Sequence, residues 1–373
     1  MIYYLHLLSE HFGPLNYFQY TTTRALLAFV ISFGLSLIFG KSVIRKLISL
    51  KIGQPIRSED EVHKLAELHE EKAGTPTMGG VLLLGTTLIA TLVCARPDNP
   101  FVVATAFAMG TLGLLGFVDD YTKVKEKNSE GVSGKTKLAV QGLVGLTVGC
   151  FLYFYPNNPG FTVQVSDYIS PLSTPFGKAP LFDMGWLCIP FFMFIIVGCS
   201  NAVNLTDGLD GLATGCTIST AFAYAVIAYL AGHQWLATEY LFIPHQPMVM
   251  ELSILLFALL GAGFGFLWFN CHPAKMFMGD TGSLAIGGAL ATAAICCKQE
   301  FLLVVIGGVF VMEAMSVILQ VGSFKLRGKR IFAMSPIHHH FELKGWHENQ
   351  VIIRFWLLSL FLALIGLGTL KIL

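Results

Sequence analysis

The chain has 373 residues, of which 54% are hydrophobic and only 13% charged, with a mean hydropathy of +0.66 and a formal net charge of +1. Soluble domains carry about 25% charged residues, so this composition excludes a water-soluble protein of this length, and the near-zero net charge gives no reason to expect a nucleic-acid partner. The eight cysteines include no C-x-x-C pair and support neither a zinc site nor a disulfide framework.

In chain order, Met1 to Tyr20 comes first. It lacks a basic start and a long apolar core, so it reads as an aromatic-rich segment lying at the membrane surface, not as a cleavable leader. A spanning helix needs about 20 mostly apolar residues. Ten candidates follow, over about 22–42, 78–95, 100–118, 137–155, 184–200, 211–231, 251–269, 282–297, 301–322 and 351–370. The expected fold is therefore all-α: one polytopic integral membrane domain over residues 1–373, with no internal repeat. Pro190 falls inside the fifth stretch, which a membrane helix tolerates.

Basic residues set the orientation. Arg45, Lys46, Lys51, Arg57, Lys64 and Lys72 share one side with Lys123, Lys125, Lys127, Lys135 and Lys137, and with Lys275, Lys325, Arg327, Lys329, Arg330 and Lys344. The opposite loops hold little beyond Arg96, Lys178 and Lys298. The first side is cytoplasmic, and ten spans leave both termini on the periplasmic side. Four polar motifs, at Asp119-Asp120, Asn201–Asp210, Asn270–Gly282 and Ser335–His347, all fall on the cytoplasmic side. Chance would put about half of them outside, so one active site on one face is expected.

Adjacent carboxylates at Asp119 and Asp120 repel and are costly to desolvate. A solvated helix end explains them as readily as a metal ligand beside a general base, although carboxylate oxygen suits magnesium. In NAVNLTDGLDGLA, the side chains of Asn201, Asn204, Asp207 and Asp210 recur every three residues and would share a helix face. A cap and turn account for one Asp and one Gly of this run, not for four polar side chains leaving an apolar span. Gly208 would let backbone approach a ligand.

Asp280 follows Gly279 at the start of the eighth stretch. Capping could explain it, but a helix N-terminus also favours an anion such as pyrophosphate. Phe277, flanked by methionines, reads first as packing. The run His338, His339, His340 cannot close on one ion, because neighbouring side chains diverge; phosphate contact or proton relay by one or two of them fits better. Lys72 and Thr77, in EEKAGTPTMGG, could bind an anion, although the order is not that of a P-loop. Most loop lysines read as topological, Lys72 and Lys135 excepted. Glu313 lies deep in the ninth stretch, where a carboxylate is either functional or paired inside the bundle.

Together these residues suit magnesium, a phosphate-bearing soluble substrate and a lipid phosphate whose tail stays in hydrocarbon. The motifs GTPTMGG, FVDDYTKV, NAVNLTDGLDGLA, MGDTGSLAIGG and SPIHHHFE, in this order across essentially the whole chain, resemble the bacterial phospho-N-acetylmuramoyl-pentapeptide-transferases. These belong to the polyprenyl-phosphate N-acetylhexosamine-1-phosphate transferase superfamily. The aspartate motifs are shared across the superfamily, whereas GTPTMGG and SPIHHHFE are the more specific markers.

The resemblance implies a Mg2+-dependent enzyme of the bacterial inner membrane, a homodimer with ten transmembrane helices. It would join UDP-N-acetylmuramoyl-pentapeptide and undecaprenyl phosphate to give lipid I and UMP. It further implies Asp280 as metal ligand with Asp120 in support, Asp119 as base, and His338 and His339 in catalysis. Lys72, Gly208, Leu209, Asp210, Asn270 and Phe277 would form a uridine pocket, with Asn204 and Asp207 between nucleoside and phosphates. Thr77, Lys135, Asn201, Gly279, Gln320 and His340 complete the expected substrate contacts. A sister transferase using UDP-N-acetylglucosamine would share the aspartates but not the histidine stretch. An ion-coupled transporter would concentrate its acids near mid-bilayer, and a noncatalytic scaffold gives no reason for the aspartate set.

Overall fold

The computed structural model describes residues 1–50, 74–126, 131–156, 164–174, 177 and 179–371. Among them, ten helices of 15 or more residues carry the fold. They are α1 (Thr21–Ser49), α2 (Gly80–Cys94), α3 (Pro100–Glu126), α4 (Gly134–Tyr153), α5 (Cys188–Thr206), α6 (Leu212–Gly232), α7 (Leu252–Asn270), α8 (Gly279–Cys296), α9 (Gly308–Arg327) and α10 (Glu348–Thr369). Each coincides with one expected stretch. Eight of them, all except α2 and α8, are long and apolar enough to cross a membrane, which makes this an all-α polytopic membrane protein. Strand among the described residues is limited to Pro171–Leu172 paired antiparallel with Phe182–Asp183.

Apolar side chains all round a helix mean burial in protein or in lipid. The outer helices take the second course: Leu26, Val30 and Ile38 on α1 and Leu357, Phe361 and Leu364 on α10 are exposed. Helix α8 takes the first, with every residue from Thr281 to Cys296 buried. Its sequence is rich in Gly, Ala, Ser and Thr, the small residues that let membrane helices approach closely. At Gly116 of α3 that closeness is obligatory, since a Cβ there would lie 2.1 Å from the carbonyl oxygen of Asp280. The start of α8 is thereby pressed against the acidic end of α3.

Three boundaries differ from expectation in ways that matter. Helix α3 continues past Asp119-Asp120 to Glu126, so the pair lies within a helix with Asp119 fully buried, not at a solvated end. Helix α5 runs on through Asn201 and Asn204 to Thr206, carrying both amides on its last turns. The ninth stretch breaks at Gly307, between the short helix Leu302–Ile306 and α9. A Gly-Gly pair at 307–308 weakens helix continuity there.

The two ends of the bundle differ in chemistry. At the end away from the aspartates, Arg24 and Glu251 form a buried ion pair, with Nη2 2.9 Å from Oε2, and the Arg96 N–H donates to Oε1 of Glu251 from 2.7 Å. Asn99 caps α3 there, its Oδ1 accepting from the N–H of Phe101 at 3.0 Å and of Val102 at 3.2 Å. Lys298, Glu300 and Tyr224 occupy the same end, Lys298 pairing with Glu300 at 2.8 Å. These groups lock connecting segments together.

Candidate active site

At the other end, chain termini of several helices converge. Asp119 and Asp120 come from the last turns of α3, Asp280 from the first turn of α8, Asn204 from α5 and Lys137 from α4. Carboxylate oxygens of Asp119, Asp120 and Asp280 lie within 4.8 Å of one another. Such crowding of like charges is unfavourable without cations. Two lysines provide them. Lys137 Nζ lies 2.8 Å from Oδ2 of Asp119 and 2.7 Å from Oδ2 of Asp280. Lys123 Nζ lies 2.7 Å from Oδ2 of Asp119 and 3.4 Å from Oδ2 of Asp280.

The three acids have distinct surroundings. Asp119 Oδ1 accepts from the Val132 N–H at 2.8 Å, which leaves Oδ2 turned to the lysines. Asp120 caps α8 from outside that helix: Oδ1 accepts from the Asp280 N–H at 3.2 Å, and Oδ2 from the N–H and hydroxyl of Thr281 at 3.0 and 2.7 Å. The helix N-terminus thus already faces an anion, the side chain of Asp120. Asp280 Oδ1 accepts from Asn204 Nδ2 at 2.8 Å, and the same amide reaches Ser283 Oγ at 2.9 Å. Gly279 lies between Asp120 and Thr77 with no room for a side chain. Three acidic side chains with oxygens this close, two of them turned to cationic groups, form a donor set that suits a hard divalent cation.

The NAVNLTDGLDGLA run does not project along one face. Asn201 turns to α4, donating to Gln141 Oε1 at 2.9 Å, while Asn204 turns to Asp280. Helix α5 ends before Asp207, so the three-residue spacing stops being helical there. Asp207 is half-buried, and burial, with the Asp280 and Asp120 carboxylates adding to it, pushes its carboxyl up to about 8. Gly208 is exposed and Leu209 buried. Asp210 is buried beside His272: Oδ2 lies 3.1 Å from His272 Nδ1 and accepts from the Ala274 N–H at 3.0 Å. The Asp210 N–H donates to Glu348 Oε1 at 3.2 Å, joining Asp210, His272 and Glu348 in one cluster.

Asn270 is spent internally, its Oδ1 accepting from the Thr214 hydroxyl at 2.8 Å and its Nδ2 donating to Met276 O at 2.9 Å. It braces the loop that carries Phe277. The backbone of Phe277 joins that loop to the GTPTMGG segment, donating to Pro76 O and accepting from the Gly79 N–H, both at 2.8 Å. Phe277 is half-buried while Met276 and Met278 are fully buried, so the methionines do the packing.

The histidines diverge as adjacent side chains must. His338 is fully buried with Nδ1 3.1 Å from Glu313 Oε1; His339 Nδ1 lies 2.7 Å from Glu342 Oε2; His340 Nδ1 accepts from the Ala333 N–H at 3.0 Å. Gln320 holds the same returning segment, bonding Ile331 and Phe332 through 2.9 Å contacts. Lys135 is exposed on the first turn of α4, and Lys72 lies outside the described residues. By charge pattern alone Lys123 and Lys137 have a topological role only. Lys123 carries a usable signal, since it follows Asp119 by four residues in a helix. His272 and Glu348 offer none, because their partner Asp210 is remote in sequence.

Comparison with known proteins fits this geometry. Residues 102–298 match glycosyl transferase family 4, a stretch that contains all the aspartates of the cluster. Residues 72–84 match signature 1 of phospho-N-acetylmuramoyl-pentapeptide-transferase, which includes Lys72 and Thr77. Over 373 residues, 100% of both chains, this chain is 51% identical to the phospho-N-acetylmuramoyl-pentapeptide-transferase of Methylacidiphilum infernorum (isolate V4).

Proposed function

The chain belongs to the phospho-N-acetylmuramoyl-pentapeptide-transferase family, and from that premise we propose that it transfers phospho-N-acetylmuramoyl-pentapeptide from its UDP carrier to undecaprenyl phosphate. The products are lipid I and UMP, in the first membrane step of peptidoglycan synthesis. The observation that carries the reading is the meeting of Asp119 and Asp280, 161 positions apart at the ends of α3 and α8, across the shared Lys137 ammonium.

An oxygen of the lipid phosphate attacks the sugar-bearing phosphorus, and the bond to the UMP oxygen breaks. Asp280 would hold Mg2+ with Asp119 and Asp120 beside it, and the bound ion would supply positive charge to the pyrophosphate. Asp119 receives any proton left on the lipid phosphate. That phosphate is already anionic near neutral pH, so positioning and charge neutralisation matter more than proton removal. Asn204 orients Asp280, and Asp120 fixes the start of α8 on which Asp280 rides. His338, His339 and His340, with Gln320 holding the segment that leads to them, serve the sugar-phosphate side, and the family resemblance assigns Lys135, Thr77, Gly279 and Asn201 to the same side. Lys72, Asp207, Gly208, Leu209, Asp210 and Phe277 serve the nucleotide side, with Asn270 bracing the loop that carries Phe277 and Phe277 stacking on uracil; the partial exposure of Phe277 supports this role.

On the same reading the chain acts as one integral domain in the bacterial inner membrane, with ten spans and both termini periplasmic. The eight long apolar helices, with α2 and α8 between them, support that count. Pairing as a homodimer rests on the family resemblance.

The test uses purified protein, a polyprenyl phosphate, and UDP-N-acetylmuramoyl-pentapeptide or UDP-N-acetylglucosamine, with UMP measured with and without Mg2+. UMP release from the muramoyl substrate alone, lost on chelation and restored by Mg2+, is expected. Release only from the glucosamine substrate, or undiminished release in chelator, would overturn the assignment.

A further inference from the structure

Glu313 lies on α9 with its side chain fully buried, and His338 on the short helix Ile337–Leu343 is buried against it. Nδ1 of His338 and Oε1 of Glu313 are 3.1 Å apart. Among the described residues, neither carboxylate oxygen of Glu313 and neither ring nitrogen of His338 has an aligned hydrogen-bond partner. A carboxylate inside a membrane bundle is costly unless compensated. Among the described residues, His338 is the basic side chain within ion-pair distance of it.

The other ring nitrogen faces the nucleotide-side loop. A Cβ at Gly208 would sit 2.3 Å from His338 Nε2, so the ring edge rests directly on the Gly208 backbone. Glycine at this position therefore makes room for the imidazole. Gly208 is exposed, so this contact lies where the buried dyad meets the open face of the site.

We propose that Glu313 is a positioning residue for the transfer reaction: it accepts the Nδ1–H of His338 and thereby fixes the ring with Nε2 turned to the Asp207–Gly211 loop. The inference rests on the proposed function and deepens it. Hydrogen bonds of this kind are commonly long or misaligned before substrate binds and tighten in the complex. A carboxylate behind an imidazole selects its tautomer and holds its orientation, and loss of such a partner in metal sites costs about 10- to 100-fold.

Two variants test it, with turnover measured at saturating UDP-N-acetylmuramoyl-pentapeptide and polyprenyl phosphate. Glu313→Met keeps the volume and removes the acceptor. Its melting temperature should hold or rise, because a buried carboxylate is gone, while turnover falls by about tenfold or more. Glu313→Gln keeps an acceptor for Nδ1–H and should recover most of the turnover. A purely structural role predicts the opposite coupling, with activity falling only in step with stability. Native turnover in the Met variant, or a Gln variant as impaired as the Met variant, would overturn the proposal; Glu313→Leu replaces the Met variant if that fails to fold. Failure of the native protein to release UMP from the muramoyl substrate would instead remove the proposed function itself.

Discussion

Lys137 bridges Asp119 and Asp280, its ammonium within 2.8 Å of one carboxylate and 2.7 Å of the other. A helix that begins after a loop, α4, thus supplies the charge that lets the ends of α3 and α8 share one small volume. The same position of excess negative charge is where a divalent cation would act. Lysine and metal are therefore alternative neutralisers of these two acids.

Replacing Lys137 with Met should destabilise the protein in chelator by about 1.5–3 kcal/mol, the scale of hydrogen bonds to charged groups. Added Mg2+ should restore much of that loss, and should raise the melting temperature of the variant more than that of the native protein. Equal responses to Mg2+ in both proteins would show that lysine and cation do not act on the same carboxylates.

Asp280→Asn keeps the shape of the side chain and removes its charge. Turnover should fall by about 10²-fold or more, as for loss of a principal charge-stabilising group, while the purified variant remains folded. Magnesium-dependent turnover at the native rate would take Asp280 out of the proposed site.

Asp207 provides a pH test. Its folded carboxyl lies near 8, against 3.8 for the free side chain, because burial and the neighbouring Asp280 and Asp120 carboxylates disfavour the charge. A raised carboxyl contributes to folding at low pH, and that contribution is lost as pH rises through the folded value. In metal-free buffer, the melting temperature of the native protein should therefore fall relative to Asp207→Asn between about pH 4 and about pH 8, then run parallel to it. A constant difference across the range would contradict the raised value.

Phe277→Ala should weaken nucleotide binding by about 1–3 kcal/mol, the scale of base stacking on an aromatic ring. Turnover at saturating nucleotide should change much less. Unchanged affinity would return Phe277 to packing, the role its sequence context first suggests.

Much of the fold is legible in the amino-acid sequence. A long apolar run has few folding options in a bilayer, because every backbone polar group must be satisfied within the segment. Hence the ten helices follow the hydropathy pattern closely, and charge asymmetry alone puts the acidic motifs on one face. The divergence of adjacent side chains likewise excludes His338, His339 and His340 as ligands of one ion, and each turns to a different partner.

Side-chain partners are another matter, since they depend on which helix ends meet. GFVDDYTKV hints at the Asp119–Lys123 pair through its four-residue spacing, but nothing local in it says that Asp120 caps a helix 160 residues later or that Lys137 joins Asp119. Nor does the apolar context of Glu313 announce His338, or that of Asp210 announce His272. Hydrophobicity is a property of each segment and so can be read along the chain. The pairing of buried charges is a property of the packed bundle, where small-residue contacts such as Gly116 against Asp280 set which groups come within reach.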